Sequence, residues 1–260
     1  MHGLLESCGT IRLLGLALAD ASFEEVVTAM GDRPPTMSFS YVVTPNADHF
    51  VRLEGPQRER LMPYYVSAGT LLLDSRVVRR LGRVMGLRMP PVITGSDLTY
   101  ELFEHRITPD EPITIIGTTA AAVDCLTRKY SLTRVNHFAP PFGFERDPAI
   151  VEQCVRYVIE HPARFVFLAC GAPRQELLAH RLVQAGGATG IGLCIGAAID
   201  QIGGIEKRAP RWMRTGGLEW CWRISREPKR MGRRYLEDLA VIPMLIRERF
   251  AAQQVPTAAK

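Results

Sequence analysis

The chain contains 260 residues, of which 47% are apolar and 23% are charged. This apolar content is enough for a buried core and excludes a disordered chain. The formal net charge of +5 is unevenly placed, because residues 1–204 carry 19 Lys/Arg against 21 Asp/Glu (−2) whereas residues 205–260 carry 13 against 6 (+7). We therefore expect the C-terminal segment to meet an anionic surface, either phosphate-rich lipid or nucleic acid.

Cysteine usage and the apolar runs of the chain indicate a reducing compartment. The six cysteines form no C-x-x-C pair and several lie in apolar runs, so we interpret them as small buried hydrophobic residues. The N-terminal stretch differs from a signal peptide, since Glu6 and Arg12 interrupt its apolar character. The apolar run at residues 239–246 is far shorter than the ~20 residues that cross a bilayer. The sequence thus predicts a cytoplasmic protein that at most lies on a membrane.

Short apolar runs alternate with helical patterns over most of the chain. The strand candidates are residues 39–44, 70–74, 113–117, 165–171 and 189–196, and an amphipathic segment follows each of them. Near-continuous apolar strands that alternate with helices predict an α/β fold, with a mostly parallel sheet and helices on both faces. Ligands of such sheets lie beyond the carboxyl ends of the strands, so the residues just after each strand are the candidates for a site.

Asp74 ends one of these strand candidates. At the ligand edge of the sheet, partial desolvation would raise the pKa of this carboxyl toward that of a useful general base. The alternative is a helix N-cap for the following segment SRVVRRLG, and the residues alone leave the two roles equally open. Thr44 and Asn46 follow another strand candidate and are expected at the same edge.

GAPRQE, residues 171–176, places Gly171 and a proline at a strand exit, and then Arg174, Gln175 and Glu176 on the first helical turn. The Gln175 amide can both donate and accept hydrogen bonds, which suits a sugar hydroxyl, whereas an ordinary capped helix is the alternative. GSDL, residues 95–98, resembles a common helix cap, and we interpret it as structural.

The segment IIGTTAAAV, which contains Gly117, puts small residues between a strand and a helix start, where free backbone N–H groups could hold a phosphate. It matches neither G-x-G-x-x-G nor a Walker A loop, and a plain turn is the alternative. The histidines form no H-x-x-x-H pair, and no D-x-D occurs to hold a divalent ion on a diphosphate. We therefore expect no metal and no cofactor, and a diphosphate would be met by arginines and backbone amides.

The character of the chain changes after Gly204, where strand candidates stop and Arg, Trp and Pro crowd together. We place a domain boundary there, between a body at 1–204 and a basic C-terminal appendage at 205–260. Residues 223–236 hold six basic side chains and one acidic one. Nucleic-acid binding is disfavoured, because no known reading module accompanies this charge.

An apolar stripe lies along the helical pattern of the appendage, with arginines to its sides; it consists of Met231, Tyr235, Leu239 and Ile242. Three tryptophans upstream supply the aromatic anchors that favour a lipid interface: Trp212, Trp220 and Trp222. The stripe therefore predicts insertion at a membrane surface. A surface helix that packs on the body is the alternative.

Several motifs, taken in order, resemble the WecG/TagA/CpsF family of bacterial glycosyltransferases over roughly residues 11–250. They are TPN, LLLDSR, GSDL, GAPRQE, GAAID, KRAPRWMR, GLEW and EPKRMGRRYL. The resemblance implies a Rossmann-like body with a helical, membrane-engaging C-terminal appendage. It also implies an inverting enzyme that moves a hexose from a UDP-sugar onto a polyprenyl-diphosphate-linked saccharide, at the inner face of the cell membrane, in exopolysaccharide or cell-envelope synthesis.

The resemblance also assigns roles to residues. The catalytic aspartate of the family falls on Asp74, its Thr and Asn on Thr44 and Asn46, and its glutamine on Gln175. The substrate-binding residues we expect are Gly117, Gly171, Arg174, Glu176, Gly196, Asp200, Arg214, Arg223 and Arg226, with Asp200 beside the nucleotide. Two departures stand out: Ser75 follows the aspartate where many members have Gly, and PPVITGSDL offers no Arg before its Gly.

The expected partners are therefore a UDP-sugar of the UDP-glucose or UDP-N-acetylmannosamine type, a lipid-linked saccharide and an anionic membrane. Nucleic acid is not expected, and the chain is compatible with a homo-oligomer. Two rival classes remain. Another nucleotide-dependent α/β enzyme, such as an NAD-linked oxidoreductase, would need a glycine fingerprint that is missing near any early strand. A non-catalytic basic membrane adaptor would have no need of Asp74 and Gln175 at strand ends.

Overall fold

The computed structural model describes residue 5 and residues 8–254, without the side chains of residues 211, 214, 215, 230 and 252–254. The described part opens with an antiparallel hairpin of β1 (Thr10–Leu13) and β2 (Leu16–Ala19). Both residues of its turn, Leu14 and Gly15, have positive φ, which matches the right-handed twist of the two strands. The sequence had not predicted this hairpin.

The central sheet has six strands, all parallel. They are β3 (Ser40–Val43), β4 (Thr70–Leu71), β5 (Ile113–Gly117), β6 (Val135–Phe138), β7 (Phe165–Ala169) and β8 (Ile191–Cys194). Their spatial order is β4-β3-β8-β7-β5-β6. The α/β fold class is confirmed, and each strand candidate contains a strand. β6 was not predicted, because this edge strand, VNHF, is only partly buried and carries two polar side chains.

Helices connect the strands and then form the C-terminal segment. In the body they are α1 (Phe23–Asp32), α2 (Ala47–Glu54), α3 (Arg58–Val66), α4 (Arg76–Val84), α5 (Gly95–His105), α6 (Ala120–Tyr130), α7 (Pro148–Glu160), α8 (Arg174–Ala185) and α9 (Ala198–Ile202). In the C-terminal segment they are α10 (Arg211–Gly216), α11 (Glu219–Arg226), α12 (Pro228–Asp238) and α13 (Val241–Gln254). No helix within the described residues is long and apolar enough to cross a membrane.

Two apolar cores cover the two faces of the sheet, as the sequence predicted. One contains Val166 and Leu168 of β7 and is covered by α2, α3, α7 and α8. The other contains Phe165 and Phe167 of the same strand and is covered by α1, α5, α6 and α9. This alternation is the period of two of a β-strand, and each fully buried aromatic ring stabilises the fold by about 2–3 kcal/mol. The six cysteines are free thiols, of which Cys154 and Cys194 are buried.

The C-terminal helices pack on the body more closely than the sequence suggested. Three residues of α13 belong to the core beneath α2 and α3: Val241, Met244 and Leu245. In the expected lipid-inserting stripe, Met231 is buried, and Tyr235 and Ile242 are partly buried. Only Leu239 is exposed. That interpretation was therefore wrong, since the stripe mainly packs against protein, as its alternative had it.

Other apolar side chains of the C-terminal segment face solvent instead. They are Ile205, Trp212, Leu218, Trp220, Leu236, Ile246 and Phe250. Helix α11 contains no buried residue at all in the part that the structure describes. The segment is thus a helical appendage whose last helix joins the body core. The boundary at residue 204 stays a prediction.

Candidate active site

A cleft of about 900 Å³ lies at the carboxyl ends of β4, β3, β8 and β7, with helices α11 and α12 on its opposite wall. Its volume is in the range of small-molecule sites. Most of the predicted site residues line it: Thr44, Asn46, Asp74, Gly171, Arg174, Gln175, Gly196, Arg223 and Arg226. Three predicted residues do not, namely Gly117, Glu176 and Asp200. The Arg214 side chain is outside the described part of the chain.

Asp74 occupies the first turn after β4. Its backbone N–H donates to Pro45 O at 2.8 Å, which ties it to the end of β3, and its carboxylate accepts the backbone N–H of Gly95 at 3.2 Å. The cap of helix α4 comes from Ser75, whose hydroxyl accepts the N–H of Val78 at 3.1 Å. Asp74 is therefore not needed as the helix cap, and its second carboxylate oxygen is left for the cleft.

Burial raises the pKa of Asp74 from 3.8 to about 6. The Gly95 N–H and the Arg223 guanidinium act in the opposite direction, while the carboxylate of Glu219 raises the pKa further. A carboxyl with this pKa is ionised at neutral pH yet is a stronger base than an exposed aspartate. The geometry and the electrostatics both suit a general base.

Gly95, the first residue of GSDL, is a point of close approach between α5 and the strand ends. A Cβ at this position would lie 3.1 Å from Thr44 Oγ1 and 3.7 Å from the Cys194 carbonyl oxygen. Without a side chain, its N–H can reach Asp74 while Thr44 keeps its place in the cleft wall. GSDL therefore shapes the site as well as the helix, although Thr94 supplies the cap itself.

Gln175 is nearly buried and both ends of its amide are engaged. Its Oε1 accepts the Gly196 N–H at 2.9 Å, and its Nε2 donates to Glu176 Oε1 at 2.8 Å. The amide therefore has one N–H and one oxygen lone pair left for a ligand. The Glu176 side chain is completely buried behind Gln175, so it supports the cleft from beneath rather than lining it.

Asn46 sits at the N-terminus of α2, directly after β3. His49 Nδ1 lies 3.3 Å from the backbone nitrogen of Asn46 and 2.8 Å from its Oδ1, and the tautomer of the ring decides which of these two contacts is the hydrogen bond. The other nitrogen of the ring, Nε2, is 3.5 Å from Glu176 Oε1. His49 was not among the residues predicted from the sequence. Its spacing of three residues from Asn46 on a first helical turn was the available signal.

Gly117 and Asp200 belong to a neighbouring part of the same sheet edge. A Cβ on Gly117 would come within 2.7 Å of the Ala169 carbonyl oxygen, so glycine is required there for packing against β7. The next residue, Thr118, has φ of 55°, an unusual value for a β-branched side chain, and its hydroxyl donates to Asp200 Oδ1 at 2.6 Å. This bond joins the turn after β5 to α9 beside the cleft.

Cations outnumber anions on the cleft wall. The seven cations are Arg52, Arg174, Lys207, Arg223, Arg226, Arg233 and Arg234, and the five anions are Asp48, Asp74, Glu206, Glu227 and Glu237. Among the described residues, Arg174, Lys207 and Arg226 have no ion-pair partner. Arg174 and Arg226 instead stack on Phe142 and Trp222, each 4.9 Å from the ring centre. These three cations are the ones available to an anionic ligand.

The opposite wall of the cleft is held to the body by ion pairs. Arg208 pairs with Asp97 of α5, and Arg234 of α12 lies 3.3 Å from Asp48 of α2. Arg223 is bound to Glu219 at 2.7 Å. Lys207 lies in the KRAPRWMR motif, but basic composition alone gave no reason to choose it. In the part of the chain covered by the structure, no three His, Cys, Asp or Glu side chains are grouped to hold a metal ion.

The geometry thus combines a partly buried carboxylate base, amides fixed at strand ends, and cations on both walls that have no ion-pair partner among the described residues. The family model of the glycosyl transferase WecG/TagA/CpsF family matches residues 11–255 of the chain. The chain belongs to this family. It is therefore a glycosyltransferase of cell-envelope polysaccharide synthesis.

Proposed function

We propose that this glycosyltransferase moves a hexose from a UDP-sugar onto a polyprenyl-diphosphate-linked saccharide with inversion at the anomeric carbon. The observation that carries the proposal is Asp74, a carboxyl with a pKa of about 6 that is held by Gly95 N–H and faces a cleft rich in cations. A base on one side and positive charge on the other is what a direct displacement with an anionic leaving group requires.

In the proposed reaction the hydroxyl oxygen of the acceptor attacks the anomeric carbon of the donor, and the bond from that carbon to the diphosphate oxygen breaks. Asp74 takes the hydroxyl proton, and UDP leaves with the electron pair of the broken bond. Because attack and departure occur on opposite faces of the sugar, the configuration inverts. Thr44, Asn46 and Gln175 orient the sugar between the two groups.

Charge that grows on the leaving diphosphate is met by Arg174, Lys207 and Arg226, the cleft cations that have no carboxylate partner among the described residues. Arg223 adds positive charge close to Asp74, and Arg214 is proposed for the same leaving group. One well-placed donor of this kind contributes about 3–4 kcal/mol in other enzymes. This account needs no metal ion and no cofactor. Asp200 and the turn at Gly117 are proposed to lie beside the nucleoside.

The acceptor is proposed to reach the cleft from an anionic membrane at the inner face of the cell membrane. The support is the +7 charge of residues 205–260, together with the exposed tryptophan and leucine side chains of the same segment. Lipid-interface helices combine these two features. Helices α11 and α12 then serve both the cleft and the lipid surface.

The test is to incubate the purified protein with a panel of UDP-sugars and a prenyl-diphosphate-linked sugar, and to follow the anomeric proton of the product by NMR. We expect transfer from one UDP-hexose, with inverted configuration, at a rate that EDTA leaves unchanged. Retention of configuration would contradict the role of Asp74 as a base. Loss of activity in EDTA with recovery in magnesium or manganese would contradict the cationic account of the leaving group.

A further inference from the structure

A buried ionisable pair lies directly behind the cleft. His49 is the third residue of α2 and Glu176 is the third residue of α8, with side chains 7% and 0% exposed. Their closest atoms, His49 Nε2 and Glu176 Oε1, are 3.5 Å apart. Helix α2 follows β3 and α8 follows β7, and these strands flank β8 on its two sides. The pair therefore joins the two helix starts across the end of β8.

Each member of the pair also holds an amide of the cleft wall. Glu176 accepts from Gln175, and Gln175 in turn accepts the N–H of Gly196. On the other side, His49 Nδ1 contacts both the backbone N–H and the side chain of Asn46. One continuous polar chain thus runs from Asn46 through His49, Glu176 and Gln175 to Gly196.

This chain of contacts is a poor way to stabilise a fold. Glu176 Oε2 is buried and has no hydrogen-bond partner among the described residues. Burying a carboxylate is costly, and well-packed apolar residues in place of a buried ion pair are often as stable or more so. Stability therefore gives no reason for this network. Its effect is to hold the side chains at its two ends, Asn46 and Gln175, in fixed positions.

We propose that His49 and Glu176 are positioning residues, which hold the amides of Asn46 and Gln175 at a fixed spacing across the end of β8. The two amides and the Gly196 loop then present donors to the sugar and diphosphate oxygens of one bound sugar nucleotide. The inference rests on the proposed function for the identity of that ligand. The positioning itself concerns only this chain.

The test compares three substitutions of His49. His49→Phe keeps a ring but removes both contacts, His49→Asn keeps a polar atom near the place of Nδ1, and His49→Gln keeps one near the place of Nε2. We expect His49→Phe to lower kcat roughly 10–100-fold, because small misplacements of orienting groups have effects of this size. The Kd for UDP should change less than about threefold, and the Asn and Gln variants should each recover part of the rate.

A matched control is His180→Phe, since His180 lies on the same helix as Glu176 and contacts Ser67 at 2.6 Å, away from the cleft. It should alter thermal stability without lowering kcat. If His49 acts through the two amides, then His49→Phe introduced into the double variant Asn46→Ala/Gln175→Ala should lower kcat by less than about threefold. The same loss in both backgrounds, or no loss in either, would overturn the proposal.

A second measurement separates this inference from the proposed function. If the wild-type protein transfers sugar from no UDP-sugar, the proposed function fails, and the positioning role is decided by the side-chain NH₂ signals of Asn46 and Gln175 in NMR spectra. His49→Phe should shift both signals and speed their exchange with solvent, whereas His180→Phe should not. Unchanged signals in His49→Phe would refute the positioning role of His49, whichever substrate the protein uses.

Discussion

The sheet edge and the C-terminal segment both contribute to the cleft, but different forces hold them. At the edge, Asp74 and Gln175 are fixed by backbone N–H groups and follow β4 and β7, strands that are buried except for Ala169. On the opposite wall, α11 buries no residue among those described. That wall is joined to the body through the buried side chain of Met231 in α12 and through the ion pairs Arg208–Asp97 and Arg234–Asp48. Partly exposed ion pairs contribute only about 0–1 kcal/mol each, so we expect this wall to be the weaker of the two.

This difference separates two parts of the proposed reaction. The groups that activate and orient the sugar belong to the rigid edge, whereas the cations proposed for the leaving group are shared between the edge and a wall with few buried contacts. Helix α13 limits the freedom of that wall, because Val241, Met244 and Leu245 are buried in the body core. Variants of the two walls should therefore fail in different ways.

The largest effect is expected at the edge. Asp74→Asn keeps the shape and the Gly95 contact of the side chain but cannot accept a proton, so turnover should fall ~10²–10⁴-fold with UDP affinity nearly unchanged. Steady-state kinetics and calorimetric titration with UDP measure the two quantities. A variant that keeps more than about a third of the wild-type rate at saturating substrate would remove Asp74 from the role of base.

The pH dependence sharpens the same prediction. Because burial raises the pKa of Asp74 to about 6, kcat/KM should increase with pH below about 6 and reach a plateau above it. The contribution of Asp74 to folding stability changes with pH in the opposite direction to kcat/KM. The folded chain binds this proton more tightly than the unfolded chain, so stability falls as pH rises from about 4 to about 6. Asp74→Asn should therefore unfold at a higher temperature than wild type at pH 7.

On the opposite wall, Arg226→Ala should lower the rate roughly 30–150-fold, which corresponds to about 2–3 kcal/mol of lost stabilisation of the leaving group. Lys229→Ala is the matched control, because Lys229 is a neighbouring exposed cation outside the cleft. It should keep the rate and weaken binding to anionic vesicles. If Arg226→Ala loses vesicle binding but keeps its rate on a water-soluble acceptor, Arg226 serves lipid and not the diphosphate.

Point substitutions suit this test better than removal of residues 205–260. Truncation after Gly204 would take Val241, Met244 and Leu245 out of the core. Loss of such buried side chains lowers the stability of the folded state by several kcal/mol. Loss of activity in a truncated chain would then follow from unfolding alone. The two walls can be compared only in the intact chain.

A smaller effect on transfer is expected from the exposed apolar residues of α12. Leu236 and Leu239 are 70% and 56% exposed, so their replacement by Ser should weaken sedimentation with anionic vesicles while transfer to a water-soluble acceptor continues at the wild-type rate. Met231→Ser, in the buried part of the expected stripe, should instead lower thermal stability. Vesicle binding that is insensitive to Leu236 and Leu239 would show that another surface meets the lipid.

The residues at the sheet edge could be predicted because apolar strands, and the polar residues that follow them, are visible as local patterns in the sequence. Asp74, Thr44 and Gln175 all follow near-continuous apolar runs, and parallel strands bring such residues to one edge. The orientation of the tail helices left no such signal. Arginine-flanked Met231 and Tyr235 suit a lipid surface and a protein surface equally well, and only the tertiary contact with α2 decides between them.

The site network was missed for a related reason. His49 and Glu176 are 127 positions apart in the sequence, and their contact depends on β3 and β7 lying on either side of β8. The cap of α4 is a different case, because Ser75 bonds the nearby Val78 N–H and only the structure decides that Ser75, and not Asp74, caps the helix. A single sequence shows which residue types follow a strand, but it does not show which partners the sheet order brings to them.

The smallest effect concerns the contact between the two walls. Asp238 of α12 is nearly buried, and burial, with the carboxylate of Asp48 as the next cause, raises its pKa from 3.8 to about 6. The folded chain therefore binds a proton at Asp238 more tightly than the unfolded chain does. Stability contributed by the protonated group is present at about pH 4 and is lost as pH rises to about 6.

Asp238→Asn removes the cost of burying a carboxylate and the repulsion with Asp48. It should stabilise the docked α12 by about 1 kcal/mol at pH 7, a value reduced for partial screening by solvent. In a chain of this size that is roughly 2–4 °C in Tm. The gain should vanish near pH 4, where both proteins carry a neutral side chain at this position.

Glu237→Gln is the matched control, since Glu237 is 60% exposed and pairs with Arg233, and its Tm should hardly change. A Tm gain for Asp238→Asn that is the same at pH 4 and pH 8 would contradict the electrostatic account. A gain limited to neutral pH would show that the buried charge of Asp238, with repulsion from Asp48 as the second cause, weakens the attachment of the second wall.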